Sequence, residues 1–221
     1  MTRNLPDTLA RLEAWLQKEL PEVLASLRPG VQPEDFTTLE TLLGQPLPPE
    51  FKALYLWRDG QVDDLGDGRY ISGLFYGYPL FSLAEVTQEY VSWQKAMAES
   101  PSLTADSPVT TSVPEGAIRT VWISPGWVPF AHDHGSNHLG LDFNPGPKGT
   151  VGQIFNLGRS EYDRFVLASG MGEFLTWLVS QFEEGNFVIE EEDEGRTLSM
   201  KKPPGGHLSD ALSLVFGHVE G

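Results

Sequence analysis

Three histidines and two aspartates fall close together in Ala131-His132-Asp133-His134-Gly135-Ser136-Asn137-His138-Leu139-Gly140-Leu141-Asp142. If the residues before Gly135-Ser136 form a strand, period-two alternation puts His132 and His134 on one face, and His138 returns opposite them across the turn. Converging imidazoles, with Asp133 or Asp142 as the carboxylate, have the ligand chemistry of a zinc or iron centre that activates water. No His-Glu-x-x-His helix accompanies them, and histidines beside a turn also serve as plain polar residues on a wet strand face. A metal-dependent hydrolase built on His132, His134 and His138 is therefore an alternative reading. The leading reading is a rigid hairpin that presents a surface to another protein and requires no metal or other cofactor.

Other bond-making chemistry finds little support. The chain has no cysteine, hence no thiolate nucleophile, disulfide framework or thiolate metal site. No Gly-x-Ser-x-Gly elbow occurs, and Ser136 beside His138 is a sequence neighbour without triad geometry. Gly146-Pro-Lys-Gly-Thr150 lacks the Walker spacing and joins two expected strands, so it reads as a turn. Asp142, followed by Asn144-Pro145-Gly146, is placed to accept backbone N–H groups of its own turn, a structural role favoured over a binding one. Trp122 and Trp127 bracket Ser124-Pro-Gly126, where tryptophans serve as core packing or as interface anchors.

The elements that must position these residues follow from periodicity. Residues 5 to 28 carry a leucine stripe at helical steps, with Pro21 starting a second helical segment. Pro33 opens a short helix that Gly44 ends, and Leu47-Pro-Pro-Glu50 opens another that stops at Asp59-Gly60. Residues 61 to 68 form a polar, acidic loop, and 69 to 80 have strand composition bent at Gly73 and Gly77. Ser82 and Glu85 make a capping box for a helix with Leu83, Val86, Tyr90, Trp93 and Met97 on its core face. Residues 99 to 116, rich in Ser, Thr and Pro, read as an exposed loop inserted into the domain.

From Ile118 to Ser169 short apolar runs alternate with brief Gly- or Pro-containing connectors: Val121 to Ile123, Trp127 to Ala131, His138 to Phe143, Val151 to Leu157 and Phe165 to Ala168. Connectors that short join antiparallel neighbours, because a parallel crossover needs a dozen or more residues. A helix follows Ser169 and ends at Gly185. The fold class is α+β, an antiparallel meander with helices packed on one face. Residues 1–187 form the domain, and 188–221 an acidic C-terminal extension packed on it or trailing from it; residues 183 to 221 hold nine acids against three bases.

The 221 residues are 40% hydrophobic and 21% charged, an ordinary folded composition. The N-terminus has no apolar leader segment, and no run of eighteen uncharged apolar residues occurs, so a cytoplasmic protein without membrane insertion is expected. Acids outnumber bases 31 to 15, for a net charge of −16. That field opposes direct binding of nucleic acid and attracts cationic partners.

Leu47-Pro-Pro-Glu-Phe-Lys-Ala-Leu-Tyr55 with Asp59-Gly60-Gln61, and then Trp127-Val-Pro-Phe-Ala131 with Gly135, Asn137, Leu141-Asp142 and Pro145-Gly146, resemble a known signature. It is that of the Smi/Knr cell-wall assembly regulators of the SUKH superfamily, over about residues 30 to 183 in order and spacing. The resemblance implies an α+β fold with an antiparallel sheet and no enzymatic activity common to the family. Its fungal members are linked to glucan synthesis and signalling, and many bacterial members resemble immunity proteins that neutralise toxins, often basic nucleases. Matched to that pattern, Asn137 and Asp142 shape the hairpin, and no catalytic residue carries over. The histidines at 132, 134 and 138, the 99–116 segment and the acidic tail depart from it.

The expectation is a non-enzymatic protein-binding module, foremost an immunity protein that captures a basic toxin, alternatively a regulator of envelope synthesis. The residues expected to meet the partner are Asp63, Asp64, Asp67, Tyr76, Trp127 and Asp133, by opposing carboxylates and aromatic anchors to a cationic face.

Overall fold

A computed structural model describes residues 4–159, 161–193, 195–203 and 207–217. Met1 to Arg3 of the N-terminus, and Glu194 and residues 218–221 of the acidic extension, lie outside the described residues.

The chain begins with α1 (Leu5–Glu19) and α2 (Pro21–Ser26), each with proline in its first turn, where a missing N–H costs nothing. Leu9, Leu12 and Leu16 of α1 are buried at the expected three- and four-residue steps. Next come β1 (Leu27–Pro29), α3 (Thr37–Leu43), which ends at left-handed Gly44, α4 (Pro49–Trp57) and β2 (Arg58–Gln61), which pairs antiparallel with β1.

The segment expected as a strand over 69 to 80 is corrected: only β3 (Tyr70–Ile71) is strand, and Ile71 to Leu80 run as a buried, tightly turned segment. Gln61 holds it from inside, donating through Nε2 to the Ser72 carbonyl at 2.8 Å and accepting from Leu74 N–H at 3.2 Å. A buried backbone without strand partners must find such side-chain bonds.

Helix α5 (Leu83–Glu99) carries the expected capping box: Ser82 Oγ accepts Glu85 N–H at 3.2 Å, and Glu85 Oε2 accepts Ser82 N–H at 2.7 Å. The segment 99–116, expected as an exposed loop, is also corrected. It holds a 3-10 turn at Pro101–Thr104 and β4 (Thr111–Val113), an edge strand parallel to β8. The expected strand at Val121–Ile123 reduces to a single bridge between Asp106 and Val121.

Strands β5 (Trp127–His132), β6 (Asn137–Asp142), β7 (Gln153–Gly158) and β8 (Asp163–Ala168) form the antiparallel meander of a five-stranded sheet ordered β4-β8-β7-β6-β5. Its connectors are short, as antiparallel pairing allows. One face buries Val128, Leu139, Leu141, Ile154, Phe165 and Leu167 in the main core, beneath α6 (Met171–Glu183), α1 and α4. The other face carries a smaller core of Ile118, Val121, Trp127, Phe155 and Leu157 with half-buried Trp93. The α+β class and antiparallel sheet stand as expected.

After α6 the chain forms β9 (Phe187–Glu192), β10 (Gly195–Met200) and α7 (Leu208–Phe216). Strand β10 pairs with β9 and, in parallel, with β3. Leu198, Met200, Leu208, Ala211 and Leu212 belong to the main core, while Glu190, Glu191 and Asp193 face solvent. Gly77 (φ 100°) makes room for α7: a Cβ there would lie 2.1 Å from the His207 ring. Among the described residues no helix is long and apolar enough to cross a membrane.

Candidate functional site

The second sheet face opens into a groove of about 800 Å3 between α5, the β5–β6 hairpin and the segment 103–123. A bulge in β5 decides what lines it. Pro129 pairs with Gly140 and Ala131 with Leu139, leaving Phe130 as an extra residue. Directly paired residues share a face, so Trp127, paired with Asp142, and His132, paired with His138, both lie on the groove side. Without the bulge, strict alternation would send Trp127 and His132 to opposite faces. Proline at 129 is tolerated beside such a bulge. Gly140 keeps the floor low, since a Cβ there would stand 2.7 Å from Leu157.

The three histidines reach the groove in different states. His138 is buried, and loss of hydration lowers its pKa to about 4. Its Nε2 stands 3.9 Å from Glu89 Oε1, a contact with a neutral imidazole near pH 7 and no ion pair. His132 is half-buried, stacks on Phe81 at 4.3 Å and accepts His134 N–H at Nδ1; burial, then His134, lower its pKa. His134 is exposed at the hairpin tip with φ 58°. The expected convergence occurs at the groove, but among the described residues no group of three or more His, Cys, Asp or Glu side chains is disposed to hold a metal ion.

Asp133 turns inward to shape the hairpin. Its carboxylate accepts Gly135 N–H (2.8 Å), Asn137 N–H (3.1 Å) and Asn137 Nδ2 (2.8 Å). Burial pushes its pKa up, but these hydrogen bonds outweigh burial and hold it below the usual value. Asp142 accepts Asn144 N–H at 2.9 Å and Gln153 Nε2 at 3.1 Å, and burial raises its pKa to about 6.

Of the expected partner contacts, Tyr76 is corrected, and Trp127 is reached only from within the groove. Tyr76 is fully buried and donates its hydroxyl to the Asn186 carbonyl at 2.9 Å; Trp127 is 1% exposed, part of the groove floor. Asp63, Asp64 and Asp67 are exposed in the loop after β2, where Asp64 accepts Gly66 and Gly68 N–H groups and Asp67 accepts Arg69 N–H. Asp63 acts on His132 electrostatically, opposing the lowering by burial.

The sequence reading named Trp122 as a core or anchor tryptophan but missed Arg164, Tyr162 and Arg159. Arg164 is buried on β8, its guanidinium 4.5 Å from the Trp127 ring centre, and burial lowers its pKa to about 10. It donates to the carbonyls of Arg119, Val121 and Trp122, which holds the groove's far wall against the sheet. Tyr90 Oη reinforces that wall through the Pro125 carbonyl at 3.0 Å. Trp122 (38% exposed) and Tyr162 (49% exposed) then stand edge to face at 6.3 Å on the rim, near exposed Arg159. Opposite them, Trp93 donates its indole N–H to Glu89 at 2.6 Å. Arg164 lies just before the run Phe165 to Ala168 that was expected as strand, and that place does not say which loop the arginine grips.

Over residues 30–177, which include every groove residue named above, the chain matches the SMI1/KNR4 family (SUKH-1). It is 28% identical over 236 residues to the cell wall assembly regulator SMI1 of Saccharomyces cerevisiae, covering 92% of this chain and 46% of that protein. It is 26% identical over 200 residues to the cell wall biosynthesis/cell cycle regulator smi1 of Schizosaccharomyces pombe, covering 87% and 39%. It is also 26% identical over 211 residues to the glucan synthesis regulatory protein of Neurospora crassa, covering 82% and 39%. The chain thus spans less than half the length of each of these three relatives.

Proposed function

The chain belongs to the SMI1/KNR4 family (SUKH-1), and from that premise we propose that it is a non-enzymatic protein-binding module that regulates cell-wall or glucan synthesis through its aromatic groove. The observation that carries this reading is the agreement of the relatives' names: they are regulators of wall assembly, wall biosynthesis and glucan synthesis, and none of the three is named for a reaction. The groove chemistry supports it. His132 stacks on Phe81 and accepts His134 N–H, and the buried Asp142 carboxylate accepts bonds from Asn144 and Gln153. The exposed Trp122 and Tyr162 rings on its rim are the form of contact that dominates protein recognition sites.

The test is deletion of the gene in its native host. Hypersensitivity to a wall-perturbing dye or a glucan synthase inhibitor, reversed by the wild-type chain, is the expected result. Normal wall-stress tolerance in the deletion strain would reject the regulatory role. The net charge of −16 favours a second reading, capture of a basic toxin. On that reading the same deletion strain loses toxin resistance while its wall-stress response is unchanged.

A further inference from the structure

Resting on the reading of the chain as a regulator of glucan synthesis that acts through this groove, we infer that the groove itself binds a neutral saccharide, a short stretch of a glucan chain. Its hydroxyls bridge Glu89 and His138, and its sugar faces stack on the surrounding rings.

His138 lines the groove at 6% exposure, and neither of its ring nitrogens has a hydrogen-bond partner among the described residues. The Ser136 carbonyl lies near the ring but outside bonding geometry, and Nε2 faces Glu89 Oε1 at 3.9 Å, beyond bonding distance. A buried polar group in that state is costly, and a bond from outside the chain relieves the cost. Burial keeps the ring neutral near pH 7, so Nε2 is either a donor or a lone pair. A hydroxyl oxygen about 2.8 Å from each atom fits across the gap. Because a hydroxyl both donates and accepts, it serves either tautomer. It accepts from Nε2–H and donates to Glu89, or it donates to Nε2 while a second hydroxyl donates to Glu89. A carbonyl group cannot donate, and an ammonium group cannot accept.

The surroundings extend the match. Trp93 and Phe81 stand 5.4 Å and 5.8 Å from the His138 ring, and Trp93 fixes the Glu89 carboxylate through its indole N–H at 2.6 Å. Trp122 and Tyr162 continue the ring surface along the rim. A pyranose carries hydroxyls round its edge and weakly positive C–H groups on its faces, which suit the negative faces of such rings. The charged side chains of the lining, Glu89 and Arg159, are opposite in sign, which favours a ligand without net charge. The groove volume, about 800 Å3, lies within the roughly 300–1,000 Å3 of small-ligand sites. A saccharide seated there covers the Trp122 and Tyr162 rings, so saccharide and protein partner exclude one another, and the polymer becomes a signal to the regulator of its own synthesis.

The full chain is titrated with laminarihexaose and with cellohexaose, followed by tryptophan fluorescence, calorimetry and long-range 1H–15N spectra of the histidine rings. Saturable binding of at least one hexaose is expected, with a Kd of about 10 μM to 1 mM that added salt leaves unchanged, because the ligand is neutral. The His138 ring-nitrogen signals are expected to move on saturation, while those of His207, outside the groove lining, stay in place. Trp122→Ala, at an exposed position, and Glu89→Ala, at a half-buried one, are each expected to lower affinity about tenfold. Glucose, which reaches fewer of the rings, is expected to bind at least about tenfold more weakly than the hexaose. No saturable binding of either hexaose at about 10 mM, His138 signals unmoved at saturation, binding that salt weakens, equal affinity for glucose, or unchanged affinity in both variants would each overturn the inference. If neither hexaose binds while the deletion strain still shows the wall phenotype, only the ligand is wrong and the regulatory reading stands. If a hexaose binds and the deletion strain tolerates wall stress normally, the regulatory reading fails and the saccharide site stands.

Discussion

His138 and Asp142 lie on the same strand and the same face, yet burial moves their titrations in opposite senses for stability. His138 is kept neutral, with its pKa lowered from 6.5 to about 4. As pH falls through that window the unfolded chain takes up a proton that the folded chain refuses, so stability is lost. Asp142 is raised from 3.8 to about 6, so between those values the folded chain holds the extra proton, and stability is lost as pH rises. The two contributions offset each other over much of the acid range. In His138→Gln only the Asp142 contribution of this pair remains. Urea unfolding at stepped pH is expected to show the wild-type-minus-variant stability difference falling by about 3 kcal/mol as pH drops through the His138 window; a difference constant with pH would refute the burial argument. The histidines were visible in the sequence, but their individual states were not. A stacking partner such as Phe81, or a carboxylate such as Glu89, comes from an element distant in sequence.

Helix α5 forms one wall of the groove, and its start is held by two separate devices. Ser82 and Glu85 cap it reciprocally, and Asp59 Oδ1 accepts Leu83 N–H at 2.7 Å. Gly60 (φ 79°) lets β2 approach, because a Cβ would lie 2.4 Å from Ser82 N. The Asp59-Gly60-Gln61 motif thus joins helix start, close approach and the buried 71–80 segment in three successive residues. Ser82→Ala is expected to cost about 0.5–2 kcal/mol in urea unfolding; an unchanged midpoint would mean that Asp59 alone suffices. At this scale the helices and the meander were legible, because caps, breakers and periodicity are local. Residues 69–80 and 99–116 were not. Residues 69–80 have the apolar composition of a strand, but from Ile71 to Leu80 that apolarity reflects burial on every side. Residues 99–116 have the polar composition of a loop, yet β8 supplies a partner for Thr111–Val113 and Arg164 supplies bonds for the carbonyls that follow.

For the molecule as a whole, the acidic C-terminal stretch is two things at once. Glu190 and Glu191 on β9 face solvent, while Leu198, Met200, Leu208 and Leu212 enter the main core. Burying four such side chains contributes about 6–12 kcal/mol as an upper estimate, comparable with the total stability of an ordinary domain, about 5–15 kcal/mol. Truncation after Gly185 is therefore expected to abolish cooperative thermal unfolding measured by circular dichroism; a truncated chain that melts cooperatively near the wild-type midpoint would show those contacts to be dispensable. By itself the sequence determined the α+β class, the order of helices and meander strands, the family and the negative field, since each depends on local pattern, matched motifs or summed charge. Only the tertiary structure decided that Tyr76 and Trp127 are buried, that a bulge at Phe130 brings His132 to the face of Trp127, and that Arg164 sets Trp122 on the rim. Those outcomes depend on strand register and on contacts across dozens of residues, which no local pattern encodes.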